Sequence, residues 1–495
     1  MTQKYTITKR AIAISTMAQI VSQLIVGVFG VLIIKIMTNA LGVHSYGVYA
    51  TILAFVSTFS LLTDLGLNAI TGREIAKQPE KASEIIGHNV GLRLSLCLVM
   101  VPLISGLGFL FYPHATTDLR YGILLFSGYL FFDAIRAVML AYFTARVLNG
   151  ISAVINAAQQ FILLLCAIAL TTVGWGLFGY LSAYLFTGLI GALAAFLAVR
   201  RYLRFRVKMN IAEWRLIMRM SISLGLIQVV NMMYLKADSV MLSVWSGTNA
   251  VGLYGVAYAL IVMTLTVPSY LMASLIPSMA TADEGQLQKI VQKAFEIMMV
   301  LACLLVVGGY VVRRDAVLLV SGKAFVAAAA PFAVLALATA FSYLNNVFGF
   351  ASVAVNKHHK MVYVSVMSLL LNIGLNVFLI PRYSIQGAAW ATAASELLAL
   401  LMVYSIFRKE TGISVNWSVA VKPLIAAGTL FLLIKIADPF LRGDNPLYNV
   451  VVLGGIVTVG YFVALHLLHG LPEEIKIAIG GLRTRLSKLV AHRTT

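Results

Sequence analysis

The sequence predicts an all-α membrane protein: a bundle of about fourteen transmembrane helices, arranged as two parallel six-helix repeats followed by two more helices. Three observations support this prediction: a mean hydropathy of +0.92, a charged fraction of only 11%, and long apolar segments joined by short loops. Soluble domains carry about 25% charged residues, so this composition excludes an ordinary soluble protein.

Each apolar segment is long enough to cross a membrane alone, since a hydrocarbon core of ~30 Å needs about 20 helical residues. Short connections make consecutive helices antiparallel neighbours and leave no large soluble domain. The predicted segments are roughly 16–37, 46–67, 88–111, 120–143, 153–173, 176–199, 218–244, 250–277, 294–312, 325–350, 361–380, 385–407, 418–437 and 447–468.

The net charge of +19 comes mainly from basic residues in alternate loops. Lys and Arg favour cytoplasmic loops, so this asymmetry predicts that both termini are cytoplasmic. No basic face carries the interleaved aromatic residues that single-stranded nucleic acids need, so we expect no nucleic-acid partner. The densest basic stretch follows segment six and contains Arg200, Arg201, Arg204, Arg206, Lys208, Arg215 and Arg219.

Two local matches suggest an internal repeat. The sequence Tyr-Gly-Val at 46–48 recurs at 254–256, and Gly179 matches Gly387 at the same offset of 208 residues. Each unit contains an even number of segments, so the two units share one orientation and form parallel repeats. The predicted domains are therefore an N-terminal lobe (1–199), a basic cytoplasmic linker (200–217), a C-terminal lobe (218–410), two extra helices (411–470) and a tail (471–495).

The tail has apolar residues at intervals of three and four with basic residues between them, which predicts an amphipathic helix on the inner leaflet. Anchoring of the tail to the inner leaflet explains this pattern. Docking to a polysaccharide polymerase or a glycosyltransferase is the alternative.

Three stretches resemble polysaccharide flippases of the multidrug/oligosaccharidyl-lipid/polysaccharide exporter superfamily. They are NALGVHSYGVYATILAFVSTFSLLTDLGL (39–67), GTNAVGLYGVAYAL (247–260) and GAAWATAASELLALL (387–401). The resemblance covers essentially the whole chain. It implies two six-helix lobes around a central cavity, and the transfer of a polyprenyl-diphosphate-linked oligosaccharide to the outer leaflet by alternating access.

Ionisable side chains inside the apolar segments require a structural or functional explanation. Inserting each one at the membrane centre costs at least ~2.5–3.5 kcal/mol of free energy. Asp133 and Arg136 share one face of segment four. They form either a self-satisfying pair or a polar patch in which Arg136 contacts diphosphate and Asp133 orients it. Arg93 and Lys35 lie nearer segment ends, where snorkelling to head groups and substrate contact both explain them.

Segment seven contains Lys236 and Asp238, which need separate partners because residues two apart do not face each other on a helix. If their segments line one cavity, Lys35 and Lys236 bring cations from both repeats to it. Asp64 and Glu396 are interpreted as lone acids. Each either stays protonated against a neighbouring helix or couples transport to protons or sodium, a role for which Asp238 is a third candidate.

Amide side chains inside the segments either join helices or line a wet path for sugar hydroxyls, which are costly to bury unpaired. These amides are Gln19, Gln23, Asn345, Asn372 and Asn376. Helix-loosening residues are candidates for gating. The family resemblance places Gly27, Gly30 and Pro268 at the edge of a lateral portal.

The sequence contains no phosphate-binding glycine loop followed by Lys-Ser/Thr, no nucleophile–base pattern and no metal-ligand spacing. It therefore predicts no enzymatic activity, no metal and no cofactor, so that a proton or sodium gradient would supply the energy.

We interpret the protein as an inner-membrane flippase serving O-antigen, capsule or exopolysaccharide assembly. A cation-coupled multidrug antiporter of the same superfamily is the alternative. It would need an acidic pocket, whereas the charges inside these segments are mostly cationic.

Overall fold

The computed structural model describes residues 9–113, 116–357 and 360–473, and these residues form helices and no strands. Residues 474–495, most of the predicted tail, lie outside this description. The helices are α1 (Lys9–Asp64), α2 (Leu67–Lys77), α3 (Ala82–Phe111), α4 (Thr117–Ser127), α5 (Tyr129–Ala145), α6 (Asn149–Val173), α7 (Leu177–Arg200), α8 (Ile211–Trp245), α9 (Thr248–Val262), α10 (Thr266–Ala280), α11 (Glu284–Ser321), α12 (Ala329–Ala354), α13 (Met361–Thr411), α14 (Val421–Leu441) and α15 (Pro446–Leu467).

Two helices each cover two predicted segments and are bent between them. Helix α1 breaks at Gly42, whose φ of 68° and ψ of −179° suit a residue without a Cβ atom. Helix α13 breaks at Ser384, where φ is 48°. Conversely, Gly128 separates α4 from α5 within segment four, and a 3₁₀ turn, Met263–Leu265, separates α9 from α10 within segment eight. The helix breaks thus lie both between and within the predicted segments.

Eleven helical stretches of the described chain are long and apolar enough to cross a membrane. Helix α8, which covers predicted segment seven, is not one of them. The all-helical, multi-pass class is confirmed, whereas the count of fourteen spans and the 6 + 6 + 2 arrangement stay predictions.

The chain forms two compact units. The first contains Met1–Ala259, Val320–Phe325 and Ile373–Ala388, and the second contains Leu260–Leu319, Val326–Asn372 and Ala389–Thr495. Their boundaries differ from those of the predicted six-helix lobes, which stay a prediction.

Within the first unit, two glycines bring α1 and α9 into backbone contact. A Cβ atom on Gly47 would lie 2.2 Å from the carbonyl oxygen of Thr248, and one on Gly252 would lie 3.1 Å from that of Val43. The contact is reciprocal, since Gly252 and Thr248 follow Gly47 and Val43 by the same 205 residues. The repeated sequence motifs are 208 residues apart, whereas the residues in this backbone contact are 205 apart. The contact therefore pairs residues that are shifted by three positions from the sequence repeat.

The basic linker crosses the first unit as an irregular strap, which we define as residues 203–209. Its alternate carbonyl groups face α3, where Ser83 Oγ donates to the Arg204 carbonyl over 2.7 Å. Gly87 and Gly91 leave room for the strap, because a Cβ atom on either would lie 2.2 or 2.4 Å from a strap carbonyl oxygen. The side chains of Arg204 and Arg206 remain exposed, whereas Lys208 forms an ion pair with Glu84 on α3.

The second unit has its own apolar core, which includes Phe295, Phe348, Phe407 and Tyr461. A polar network fixes the connection between α14 and α15 to α11. Arg442 pairs with Asp315 and Asp438, and Asn449 Nδ2 donates to Asp315 over 2.9 Å. The hydrogen bonds from Arg442 to Asp438 raise the pKa of the guanidinium, so this link keeps its charge.

Candidate substrate site

Two ion pairs place four of the predicted residues in the first unit. Arg93 on α3 pairs with Asp64 at the end of α1, and its side chain is only 2% exposed. The Asp64 carboxylate also accepts a hydrogen bond from the Asn68 backbone. The interpretation of Asp64 as a lone acid was therefore wrong. Arg93 does not reach the head groups but is buried as the partner of Asp64.

The second pair joins Asp133 and Arg136 on α5, with 2.7 Å between Oδ1 and Nη2. Arg136 Nη1 also donates to Asn156 Oδ1 on α6 over 3.0 Å. The intrahelical pair, one of the two alternatives for these residues, is present, while contact of Arg136 with diphosphate stays a prediction. Among the described residues, no acceptor lies within hydrogen-bond distance of Arg136 Nε. This N–H group of the guanidinium is therefore available to donate to a ligand. Asp133 lies near enough to Arg93 to interact with it electrostatically.

Arg136 and Asp133 line a cavity of about 770 Å³ between α2, α5 and α8. We call it the cationic groove, because Arg73 lines it as well and Asp133 is the one carboxylate among its lining residues. Its polar lining is completed by Asn68, Thr144 and Gln228. An anionic group entering the groove would meet two guanidinium groups that already have carboxylate partners, since Arg136 pairs with Asp133 and Arg73 with Glu74.

A smaller cavity of about 190 Å³ shares Asp133 with the groove. We call it the aromatic cavity, after the rings of Phe126, Tyr129 and Tyr184. Lys236 lines it too, and in the part of the chain that the structure describes no carboxylate lies within ion-pair distance of its ammonium group. The structure thus brings Lys236, Asp133 and Arg136 together around two adjoining cavities.

Asp238 points away from Lys236 and has partners of its own, as its spacing from Lys236 predicts. The Tyr254 hydroxyl donates to Asp238 Oδ2 over 2.6 Å, and Asn376 Nδ2 donates to Oδ1 over 2.7 Å. Asp238 is 5% exposed and Asn376 is completely buried. Both of these donors are neutral. Across residues 9–113, 116–357 and 360–473, no three His, Cys, Asp or Glu side chains are arranged to hold a metal ion.

The family model for polysaccharide biosynthesis proteins matches residues 11–283, more than half of the sequence. The chain belongs to this family. No curated protein matches it.

Solved structures show which fold this polysaccharide biosynthesis protein has. The structure described as "Lipid II flippase MurJ, inward closed conformation" matches with a TM-score of 0.75 at 12% identity, over 92% of this chain and 99% of that chain. An inward-facing multidrug resistance MATE family transporter of the MOP superfamily matches with a TM-score of 0.59 at 12% identity, over 79% and 94% of the two chains. The predicted family and its helical fold are confirmed.

Other predicted residues of this polysaccharide biosynthesis protein line neither cavity. Lys35, Gln19 and Gln23 lie on exposed parts of α1, and a common cavity for Lys35 and Lys236 stays a prediction. In the second unit, Asn345 and Glu396 are half-buried and Asn372 is completely buried. Glu396 and Asn372 both have interaction partners, which is compatible with the predicted hydrogen-bonded acid at position 396. Their roles in coupling and in a polar path stay predictions.

The three gating candidates occupy different backbone settings. Gly27 and Gly30 lie in a regular part of α1, whose break is at Gly42 instead. Pro268 lies in the first turn of α10, directly after the 3₁₀ turn Met263–Leu265. Proline suits a helix start because its missing N–H group would be unpaired there. The predicted loosening of segment eight is therefore located at this turn, while gating itself stays a prediction.

Sequence reasoning missed four residues around Arg136: Tyr129, Asn156, Gln159 and Tyr184. A signal was present for the first, since Tyr129 precedes Asp133 by one helical turn and shares its face. Asn156 Oδ1 accepts from Arg136, and the Gln159 side chain, one turn further along α6, lies with Arg136 against Gly191 on α7. Only the packing of α5, α6 and α7 reveals that these side chains meet.

Proposed function

We propose that this protein moves a polyprenyl-diphosphate-linked oligosaccharide from the cytoplasmic to the outer leaflet of a bacterial inner membrane, for O-antigen, capsule or exopolysaccharide assembly. The observation that carries the proposal is the cationic groove, where Arg136 pairs with Asp133 and keeps an unused Nε donor, and where Arg73, paired with Glu74, adds a second guanidinium. Guanidinium groups bind phosphate oxygens in a bidentate way and keep their charge, which suits a diphosphate. The family membership supports a polysaccharide precursor as the glycan.

The fold supports alternating access as the mode of movement, because the matched structures include a lipid II flippase and multidrug transporters. A diphosphate and many sugar hydroxyls cannot cross hydrocarbon unpaired, since each buried polar group costs several kcal/mol. The polar lining of the groove offers those groups partners, while a polyprenyl tail stays in the lipid. A proton or sodium gradient would then drive the return of the empty protein, with Asp238 as the coupling residue.

The alternative, export of cationic drugs, would require a cavity with negative charge. Arg73, Arg136 and Lys236 line the two cavities, and Asp133 and the Arg73 partner Glu74 offset two of these three positive charges, so the sign of the remaining charge favours an anionic substrate.

The test is transport in proteoliposomes with a fluorescent polyprenyl-diphosphate-linked oligosaccharide. We expect Arg136→Gln to lower the rate at least tenfold, because charge-assisted hydrogen bonds worth ~1.5–3 kcal/mol are lost. Arg146→Gln is the matched control, since Arg146 ends the same helix, lies over the Tyr142 ring and lines neither cavity. Equal rates for the two variants would contradict the phosphate role of Arg136, and ethidium export by the wild type would favour the antiporter.

A further inference from the structure

A third cavity, of about 790 Å³, lies entirely within the second unit, away from the cationic groove and the aromatic cavity. It lies between the start of α11 and the loop that joins α13 to α14, and the described chain ends at its rim. We call it the mixed-charge cavity, because lysines and glutamates line it together. Its charged and hydroxyl side chains are Lys289, Lys293, Glu296, Ser414 and Glu473.

The walls of the mixed-charge cavity are held by contacts that need no ligand. The Asn416 backbone N–H donates to Gln292 Oε1 over 2.8 Å, and Gln292 Nε2 donates to Glu296 Oε1 over 2.9 Å. Phe295 on α11 is completely buried and meets the Trp417 ring edge-on, with 4.9 Å between the ring centroids. These contacts fasten the loop to α11. The cavity is therefore preformed, and a ligand would not have to order its walls.

The mixed-charge cavity contains opposite charges that do not neutralise each other directly. In the part of the chain that the structure describes, Lys289 has no carboxylate and Glu473 has no cation within ion-pair distance. Lys293 adds a second positive charge one helical turn from Lys289, and Glu296 adds a second negative charge. A ligand that itself carries one positive and one negative group could reach Lys289 with the one and Glu473 with the other.

The surroundings of the cavity indicate that this ligand belongs to a membrane lipid. Trp417, which follows the lining residue Asn416, is exposed, and so are Val421 and Leu424 at the start of α14. The stretch Trp417–Leu441 is long and apolar enough to cross a membrane. Tryptophan is enriched where a helix passes from the head groups into the hydrocarbon. The mixed-charge cavity therefore lies at the level of the head groups, beside an apolar face that acyl chains can cover.

We propose that the mixed-charge cavity binds the phosphoethanolamine head group of a membrane phospholipid, with its phosphate at Lys289 and its ammonium at Glu473. The Ser414 hydroxyl is a further donor for the phosphate. An ethanolamine ammonium has three N–H donors for a carboxylate, whereas the trimethylated nitrogen of choline has none. The site should therefore prefer phosphatidylethanolamine to phosphatidylcholine. This lipid site goes beyond the proposed function and does not depend on which substrate the protein transports.

The test measures the binding of single lipid molecules to the full-length protein in detergent by native mass spectrometry. The probes are dioleoyl phosphatidylethanolamine and dioleoyl phosphatidylcholine, which differ only in the methyl groups on the nitrogen. Lys289→Gln and Glu473→Gln each remove one charge from the cavity. Lys409→Gln and Glu284→Gln are the matched controls, because they remove exposed charges of the same unit that do not line the cavity.

We expect the wild type to bind phosphatidylethanolamine at least fivefold more tightly than phosphatidylcholine. Glu473→Gln should reduce this preference to less than twofold and leave the affinity for phosphatidylcholine unchanged. Lys289→Gln should weaken the binding of both lipids at least threefold, because both carry the phosphate. The two control variants should bind like the wild type. All four substitutions alter exposed side chains, so an unchanged Tm without added lipid should show that each variant is folded.

Three results would overturn the proposal. The first is equal affinity of the wild type for the two lipids, and the second is a preference for phosphatidylethanolamine that Glu473→Gln retains. The third is a wild type that binds neither lipid, which would leave the cavity to another occupant, such as the chain that follows Glu473. None of these results bears on the cationic groove, so the flippase proposal would stand.

Discussion

At the residue scale, the carboxylates of the first unit differ in the partners that surround them. Asp64 and Asp133 each pair with an arginine. Asp238 instead accepts hydrogen bonds from a tyrosine and an asparagine. Proton exchange at Asp64 or Asp133 requires an arginine ion pair to open, whereas at Asp238 the hydrogen bonds from a tyrosine and an asparagine must rearrange. We therefore infer that Asp238 is a better coupling candidate than Asp64.

We predict that Asp238→Asn abolishes the dependence of transport on a proton or sodium gradient. The amide cannot ionise, and its NH₂ group also brings a second donor to a place where Tyr254 and Asn376 already donate. Transport by proteoliposomes with each imposed gradient measures the effect. The control is Asp118→Asn, which alters an exposed acid in the first turn of α4. A variant at position 238 that still responds to the gradient would rule out Asp238 as the coupling residue.

At the scale of elements, small residues determine which helices and loops approach closely. Ser83, Gly87 and Gly91 recur every four residues along α3 and therefore form one stripe, on which the strap lies. Lys208 adds a backbone hydrogen bond to the Gly87 carbonyl and an ion pair with Glu84. The linker is thus an ordered part of the first unit. Its position depends on the lack of Cβ atoms at Gly87 and Gly91 of α3.

We predict that Gly91→Ala destabilises the protein by ~1–3 kcal/mol, because its Cβ atom would lie 2.4 Å from the Lys208 carbonyl oxygen and push the strap away. Gly106→Ala is the control on the same helix, where nothing lies within 4 Å and alanine is favoured by about 0.5–1 kcal/mol. Thermal unfolding of the purified variants should give a lower Tm for the first and an unchanged or higher Tm for the second. Equal values would show that the strap is not held by this stripe.

The sequence predicts these elements only in part. The apolar segments predict the helices well, because a hydrophobic run of about 20 residues forms a helix that spans the membrane. The spacing of Asp133 and Arg136 predicts their pairing for a similar reason, since both lie on one helix. The pairing of Asp64 with Arg93 and the meeting of Tyr129 with Tyr184 depend on how separate helices pack. A hydropathy pattern contains no information on that packing.

At the scale of the whole molecule, orientation decides which way a substrate moves. The cationic groove can accept a cytoplasmic precursor only if the ends of α2 and α5 that line it face the cytoplasm. The basic strap is predicted to lie on that side as well, where anionic head groups attract each exposed Lys or Arg by ~1 kcal/mol. The direction of transport therefore depends on the predicted cytoplasmic location of both termini.

We predict that a reporter inserted after Asp444, between α14 and α15, lies outside the inner membrane, while one placed after Glu473 lies in the cytoplasm. An alkaline phosphatase fusion should therefore be active at the first position and inactive at the second, and a green fluorescent protein fusion should show the reverse. The opposite pattern would invert the orientation and, with it, the proposed direction of transport.

The contact between Gly47 and Gly252 has a further consequence. Its reciprocity, in which each glycine meets the backbone of the other segment, is the form of an isologous interface, the kind that two identical subunits make across a two-fold axis. Beside the glycines, His44 Nδ1 lies 3.1 Å from Asn249 Oδ1, and these residues too are 205 positions apart. In a homodimer the same residue would occupy both places. A single chain that holds both segments can place histidine on one side and asparagine on the other, and so make a pair that no symmetric dimer could contain.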